Sequence, residues 1–538
     1  MRPLWVVVLA SFWLATVCNV ALWRALARLP DLSGGQAFTV SVALALVIGL
    51  VTAGLLSLLA WRWTLKPVIM LFCVSAAFGA YFMVAYGVVI DKSMLVNALQ
   101  TDMHETFDLL NWRLLATVLV LAVLPCVLLW RQHIRLQNPT RQAVSNLAAL
   151  LASCALLVVV LVLFFQSIAS VMRNYPQVRY LINPLNSFYA LGLVAAKPFQ
   201  RNELAILPLG EDATLGASYT AQAKPPLLLL VLGETGRSVN FAVNGYRRPT
   251  TPELSKENIA SQRNAWSCGT STAASVPCMF SNFGRANYES RPANHEGLMD
   301  VLQHAGLAVL WLDNQSGCKG VCDRVPNVNT SQLKVAGLCD GDECFDEVML
   351  QGLDARMAAL SPERRAKGVV VVMHQMGSHG PAYFKRSPAA FKKFLPECTD
   401  NALQSCTQQG LVNAYDNSIV YTDHLLASAI QWLKAQEPLT SPAMLYVADH
   451  GESLGENNIY LHGMPYSVAP DVQKHVPWIT WLSPGFEQRS KITMACLQHQ
   501  LDMPVSHDNY FHSVLGLMNV QTHVYATALD IYAHCGQS

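Results

Sequence analysis

Leu227-Leu228-Leu229-Leu230-Val231-Leu232-Gly233-Glu234-Thr235 is the stretch from which the fold is read. The apolar run is too short to cross a bilayer and too unbroken for a half-exposed strand. It fits a strand buried on both faces, as in a sheet covered by helices. Gly233 ends the run, and Glu234 sets a carboxylate just beyond its carboxyl end.

Four similar runs follow, at 307–312, 369–373, 444–448 and 478–482, with helical stretches between. Strands alternating with helices imply an α/β layered sheet. In such sheets ligands gather beyond the carboxyl ends of the strands. Asp313-Asn314 follows the second run, His374 to His379 the third, and Asp449-His450-Gly451-Glu452 the fourth. Glu234, Asp449 and His450 offer the carboxylate and imidazole donors that suit zinc with an open position. Adjacent Asp449 and His450 can face one ion only where the strand has just ended, and Gly451 permits that turn. An isolated Asp-His pair is more often a surface turn. Glu234 and a hydroxyl-rich segment elsewhere tip the reading towards a metal site.

That segment is Trp266-Ser267-Cys268-Gly269-Thr270-Ser271-Thr272-Ala273-Ala274-Ser275-Val276-Pro277-Cys278-Met279-Phe280. It reads as a turn between two cysteines, leading into a helix. A helix start offers free N–H groups to an anion, and a hydroxyl there can attack phosphorus if a metal lowers its pKa. Thr270, Ser271 and Thr272 are equal candidates on these grounds. His374, His379 and His462 are further candidates, the last two next to Gly in apparent loops near the same edge, and Lys319 follows the second strand, where it can offset phosphate charge. His507-Asp508-Asn509 reads as a helix start capped by Asp508 or Asn509.

The first third of the chain is different. Only 14% of the 538 residues are charged, and the apolar excess lies before residue 175. Stretches 4–23, 38–61, 67–90, 114–130 and 147–168 are each long enough to cross a bilayer. Pro125 lies inside the fourth. Arg62 and Lys66 follow the second stretch, and Arg131, Arg135 and Arg141 follow the fourth. This places the N-terminus inside and everything after the fifth span outside. Cys18, Cys73, Cys126 and Cys154 fall in the spans, as small apolar residues. The other ten cysteines fall in the exported half. Their spacing suggests disulfides Cys268–Cys278, Cys318–Cys322, Cys339–Cys344 and Cys398–Cys406, leaving Cys496–Cys535 as a fifth. The expected domains are a membrane domain at 1–171, a membrane-surface and linker segment at 172–223, and an exported α/β domain at 224–538.

At these residues the chain resembles the phosphoethanolamine–lipid A transferases, a family of the alkaline phosphatase and sulfatase superfamily that includes the mobile colistin-resistance enzymes. The resemblance rests on Gly233-Glu234-Thr235, the Cys268 to Phe280 segment, His374-Gln375-Met376-Gly377-Ser378-His379-Gly380-Pro381, Asp449 to Glu456 and Leu461-His462-Gly463-Met464. It implies that Thr272 is the nucleophile and that Glu234, Thr272, Asp449 and His450 hold a zinc ion. It implies that His379, His462 and Lys319 hold a second zinc or the phosphoethanolamine group. Asn97 and Glu105, in the loop after the third span, match positions implicated in substrate binding. Gln315 stands where some relatives carry Asn. The implied enzyme is a monomer of the inner membrane of a Gram-negative bacterium, with its catalytic domain in the periplasm and no nucleic-acid partner. It moves phosphoethanolamine from phosphatidylethanolamine to a lipid A phosphate through phosphorylated Thr272, which lowers surface negative charge and weakens polymyxin binding.

Four other readings compete. A simple phosphatase would use the same residues with water as acceptor. A sulfatase needs Cys/Ser-x-Pro-x-Arg, and Ser275-Val276-Pro277-Cys278 is followed by Met279 instead. A transferase acting on a core sugar of lipopolysaccharide would use the same residues. A membrane zinc-binding sensor would keep the ligands but form no covalent intermediate.

Overall fold

The computed structural model describes all residues except 31, 101–102, 136, 201, 220–223, 342 and 537–538, and except the side chains of 103–105, 197–200 and 202–204. The chain divides into two compact units, Met1–Ala98 with Thr106–Ala196, and Leu99–Glu105 with Lys197–Ser538.

In the first unit five helices are long and apolar enough to cross a membrane: Pro3–Ala27, Gly34–Leu58, Leu65–Ala85, Trp112–Arg131 and Pro139–Asn174. The third ends five residues short of the expected Ile90, because Gly87 turns the backbone to a φ of 68°. The first is interrupted by a tighter turn, Val17–Asn19. There Asn19 donates to Leu14 O and to Asn183 O, each at 2.7 Å. Asn183 in turn donates from Nδ2 to Cys18 O at 2.9 Å and Ala76 O at 2.7 Å. Gly79 allows this: a Cβ there would lie 2.4 Å from Asn183 Oδ1. In the fourth helix Pro125 has no N–H to offer Leu121, and the helix widens into a π turn over Leu119–Val123.

The second unit is built on an eight-stranded sheet. Its strands are β1 (Pro226–Gly233), β2 (Ile259–Trp266), β3 (Ala308–Asp313), β4 (Asn327–Asn329), β5 (Val369–His374), β6 (Ser441–Ala448), β7 (His475–Leu482) and β8 (Val505–Ser506). Their spatial order is β8-β2-β7-β6-β1-β5-β3-β4. Only β7 runs against the others. The apolar runs became strands because both faces are covered: every residue of β1, β3, β5 and β6 is buried. Each such Leu or Val contributes about 1.5–3 kcal/mol of burial.

Register then aligns the strand ends. Ala448 lies opposite Gly233, and His374 lies opposite both Leu232 and Asp313. Glu234, Asp449, His374 and Asp313 therefore reach the same edge of the sheet. All ten cysteines of this unit are paired as the spacing suggested, and the four in the first unit are free.

Candidate active site

β2 ends at Trp266, and the chain crosses the sheet edge to the helix Thr272–Met279. Ser271 precedes this helix in extended conformation, with φ −153° and ψ 154°. Thr272 is thus its first residue, in the turn whose amides no helical carbonyl reaches. Several contacts fix the approach. The Cys268–Cys278 bridge closes the loop onto the helix. Ser275 donates to Asp449 O at 2.5 Å. Buried His507 accepts from Cys268 N and donates to Ala448 O, each at 3.0 Å. Gly269 is required by close approach, since a Cβ there would meet Ala274 Cβ at 2.8 Å.

The three hydroxyls left equal by the sequence are separated by their contacts. Thr270 donates to Met464 O at 2.6 Å. Ser271 Oγ is buried and makes no hydrogen bond. Thr272 Oγ1 lies 3.1 Å and 3.3 Å from the Glu234 carboxylate oxygens and 3.4 Å from His450 Nε2.

Glu234, Asp449 and His450 are buried, with ligand atoms all within 4.8 Å of one another. His450 Nδ1 donates to Gly451 O at 2.8 Å, which turns Nε2 towards Glu234 at 3.5 Å and Asp449 at 3.4 Å. Asp449 Oδ1 accepts from Thr235 N at 3.1 Å and His450 N at 2.7 Å. Its Oδ2 is buried without a hydrogen-bond partner. Burial is the largest influence on all three groups and opposes charge. Even so, the His450 imidazole holds the Glu234 carboxyl well below its ordinary range. Asp449 and Glu234 overcome burial to push His450 up to about 10. Burial and the neighbouring Glu234 push Asp449 up to about 6. Two carboxylates at one point demand positive charge there. A divalent ion would supply it to all three side chains at once, with the Thr272 hydroxyl as a further donor in reach. The donors and the orphaned Asp449 oxygen fit such an ion.

Behind Glu234, His374 Nε2 stands 4.0 Å from its Oε2, while His374 Nδ1 is 3.0 Å from Asp313 Oδ2. To the side, the His462 ring lies 4.3 Å from that of His450 and 5.7 Å from that of His379. His462 Nδ1 donates to Glu452 Oε2 at 2.9 Å.

Among the described contacts, none joins the other expected side chains to Glu234, Thr272, Asp449 or His450. Lys319 Nζ donates to Ser316 O at 3.1 Å and Ser316 Oγ at 2.8 Å, beside a cavity of about 200 Å³ that Pro277 and Phe280 also line. Gln315 folds onto its neighbour, accepting from Ser316 Oγ at 2.6 Å. Asn97 is half-buried on the helix Lys92–Gln100 of the first unit. The side chain of Glu105 lies outside the described residues. His507 serves as a brace, and it opens a helical turn that leads into the helix Tyr510–Leu517, with Asn509 at the N-cap position of that helix as expected. The cap of the turn itself is reciprocal: Asn509 Oδ1 accepts from Ser506 N at 2.8 Å, and Ser506 Oγ accepts from Asp508 N at 3.2 Å. Ser275 was legible only as part of a motif, because its partner Asp449 lies far along the chain.

Residues 226–520 match the family model described as Sulfatase, and residues 39–199 that described as Phosphoethanolamine transferase EptA/EptB. A phosphoethanolamine transferase EptA of Salmonella typhimurium is 39% identical over 98% of this chain and 96% of its own length. The phosphatidylethanolamine transferase Mcr-1 of Escherichia coli is 36% identical over 96% of this chain and 95% of its own. The solved structure of the integral membrane protein lipooligosaccharide phosphoethanolamine transferase A of Neisseria meningitidis matches with a TM-score of 0.93. It is 33% identical and covers 99% of both chains.

Proposed function

The chain belongs to the phosphoethanolamine transferases of the sulfatase and alkaline phosphatase superfamily, and from that premise we propose that Thr272 carries the group in transit. The protein is an inner-membrane enzyme with a periplasmic catalytic domain that transfers phosphoethanolamine to lipid A. The reading of Thr272 is carried by one observation. Of the three clustered hydroxyls, only the Thr272 oxygen makes hydrogen-bond contact with both Glu234 and His450.

The donor in this proposal is phosphatidylethanolamine. Thr272 Oγ1 attacks its phosphorus. An oxygen–phosphorus bond forms as the bond to the glycerol oxygen breaks, and the proton lost by Thr272 ends on that oxygen. Diacylglycerol leaves, and phosphoethanolamine stays on Thr272. A phosphate oxygen of lipid A then attacks the same phosphorus, and Thr272 leaves and regains a proton. The amides at the start of the helix Thr272–Met279 face the phosphoryl oxygens in both steps. His462 lies beside His450 and His379 beside His462, and both are proposed to serve the proton exchanges and the ethanolamine-bearing group. Glu234, Asp449, His450 and Thr272 are the residues that would hold zinc, which when bound lowers the pKa of the hydroxyl and offsets phosphoryl charge. Asn97, Glu105, Lys319 and Gln315 are proposed to contact substrate. Capping a lipid A phosphate with ethanolamine lowers the negative charge that draws polymyxins to the cell surface.

The test uses full-length protein with phosphatidylethanolamine labelled in its headgroup. The expected result is a labelled peptide containing Thr272 that disappears in Thr272→Ala, whose transfer rate falls by about 10³-fold or more. Transfer that survives in Thr272→Ala overturns the covalent route. Label on core sugar with lipid A unmodified overturns the acceptor.

A further inference from the structure

We propose that Asp346, with the Glu343–Arg386 ion pair beside it, is the positioning element for the loop that follows β5 and carries His379. The inference rests on the transferase reading above and concerns residues that touch none of the reacting atoms.

Asp346 follows the Cys339–Cys344 bridge and is 3% exposed. Its Oδ1 accepts from Met376 N and from Asn314 Nδ2, each at 2.8 Å. Its Oδ2 accepts from Gly377 N at 2.9 Å and Gln375 Nε2 at 3.3 Å. Both carboxylate oxygens are thus taken by the loop after β5 and by Asn314, which follows β3.

Two successive amides can address one carboxylate only through a tight turn, and Gly377 supplies it with a φ of 51°. A Cβ at Gly377 would lie 2.6 Å from Glu234 O. The next amide, Ser378 N, donates to that same oxygen at 3.1 Å. The turn is therefore wedged between the Asp346 carboxylate and the backbone of Glu234. On its other side Arg386 Nε donates to His379 O at 2.9 Å, and Arg386 Nη1 lies 3.3 Å from Glu343 Oε2. Glu343 and Asp346 belong to one short segment, so that segment grips the loop both before and at His379. A buried, charge-assisted network of this kind loses its hold as a unit when one member is changed. The ring it sets in place, His379, is the one that faces His462.

The experiment is a double-mutant cycle in full-length enzyme, with phosphatidylethanolamine as donor, lipid A as acceptor and bound zinc measured alongside. Asp346→Asn sets an NH₂ against a backbone N–H. It should lower kcat about 10–100-fold while zinc content holds, as expected of a residue that orients a working group. KM for the donor should move less than about threefold. In the double variant Asp346→Asn with His379→Ala, the loss should exceed that of His379→Ala alone by no more than about twofold, because both act through one ring. Losses that multiply overturn the proposal, as does an unchanged kcat in Asp346→Asn. Should Asp346→Asn fail to fold, Arg386→Lys enters the same cycle, since it keeps the charge and loses the Nε contact to His379 O. Failure of the wild-type enzyme to transfer would instead remove the reading on which the inference stands.

Discussion

The two units bury polar groups in opposite ways. In the first, deeply buried Asn19 and Asn183 are neutral amides that bond each other and nearby carbonyls. Gln142 and Asn146 likewise pair at 2.7 Å. In the second, two carboxylates and an imidazole converge at one strand edge. Buried oxygens without a hydrogen bond occur in both units, Asn183 Oδ1 and Gln142 Oε1 in the first and Asp449 Oδ2 in the second, so what differs is charge. A buried amide is stable when its neighbours answer it. A buried pair of carboxylates is stable only if something cationic joins them. The difference separates polar residues that hold helices together from polar residues that wait for a ligand.

Metal removal tests that difference most severely. With a chelator, transfer should fall to background. The second unit should also melt lower, because Glu234 and Asp449 lose the charge between them. The first unit should melt as before. Calorimetry of the full-length protein, before and after zinc is restored, reads both transitions. A second-unit transition that ignores the chelator would show that protonated His450 alone suffices and would erase the contrast.

Reducing the disulfides should have the next largest effect, again on one side only. Cys496–Cys535 spans 39 residues and closes the longest loop of the five. Its removal by Cys496→Ala with Cys535→Ala should cost about 4 kcal/mol in the chain-entropy model. The shorter loops should each contribute up to about 3 kcal/mol. Denaturant unfolding with and without verified reduction checks this. Equal midpoints would mean that the bridges do not restrain the unfolded chain.

Much of both units can be read from the sequence, for reasons that differ. The spans announce themselves because a bilayer demands some twenty apolar residues in a row. Strands β1, β3, β5 and β6 do so because burial on both faces leaves them uniformly apolar. Strand β2, Ile259–Trp266, does not: its sequence Ile-Ala-Ser-Gln-Arg-Asn-Ala-Trp has no apolar run, and it is recruited by pairing with β7. The metal-type donors were legible because strand ends are where ligands gather. The choice of Thr272 over Thr270 and Ser271 was not legible from spacing, since it depends on Met464 and Glu234, both remote in sequence. The bracing role of His507 was hidden for the same cause, although the helix start it marks was legible. Its neighbours suggested a helix cap, while its partners, Cys268 and Ala448, lie on other segments.

Acidification offers a smaller effect through His507. Its imidazole must be neutral, because one nitrogen accepts from Cys268 N while the other donates to Ala448 O. Burial pushes it down to about 3 from an ordinary 6.5. As pH falls the unfolded chain therefore takes up the proton first. The stabilisation is complete above pH 6.5 and is lost towards pH 3, by up to about 1.4 kcal/mol per pH unit. Burial of His512, pushed down to about 4, acts in the same direction. In zinc-free protein His507→Gln should flatten the slope of stability against pH in this window. A slope unchanged by the substitution would place the acid sensitivity elsewhere.

The smallest effect lies in the first unit and sharpens the comparison from its quiet side. Pro125 deprives the Leu121 carbonyl of its helical donor, and the indole Nε1 of Trp13, on the first span, donates to that carbonyl at 3.3 Å. The bond answers a polar group that hydrocarbon cannot solvate. Trp13→Phe keeps most of the ring and removes the donor, and should cost about 1 kcal/mol. Pairing it with Pro125→Ala should cancel most of that loss, because the alanine amide can return to Leu121 and close the π turn. Stability of the membrane unit in mixed micelles, followed by tryptophan-independent circular dichroism, measures the cycle. Additive losses would mean that Trp13 packs against the fourth span without answering its carbonyl.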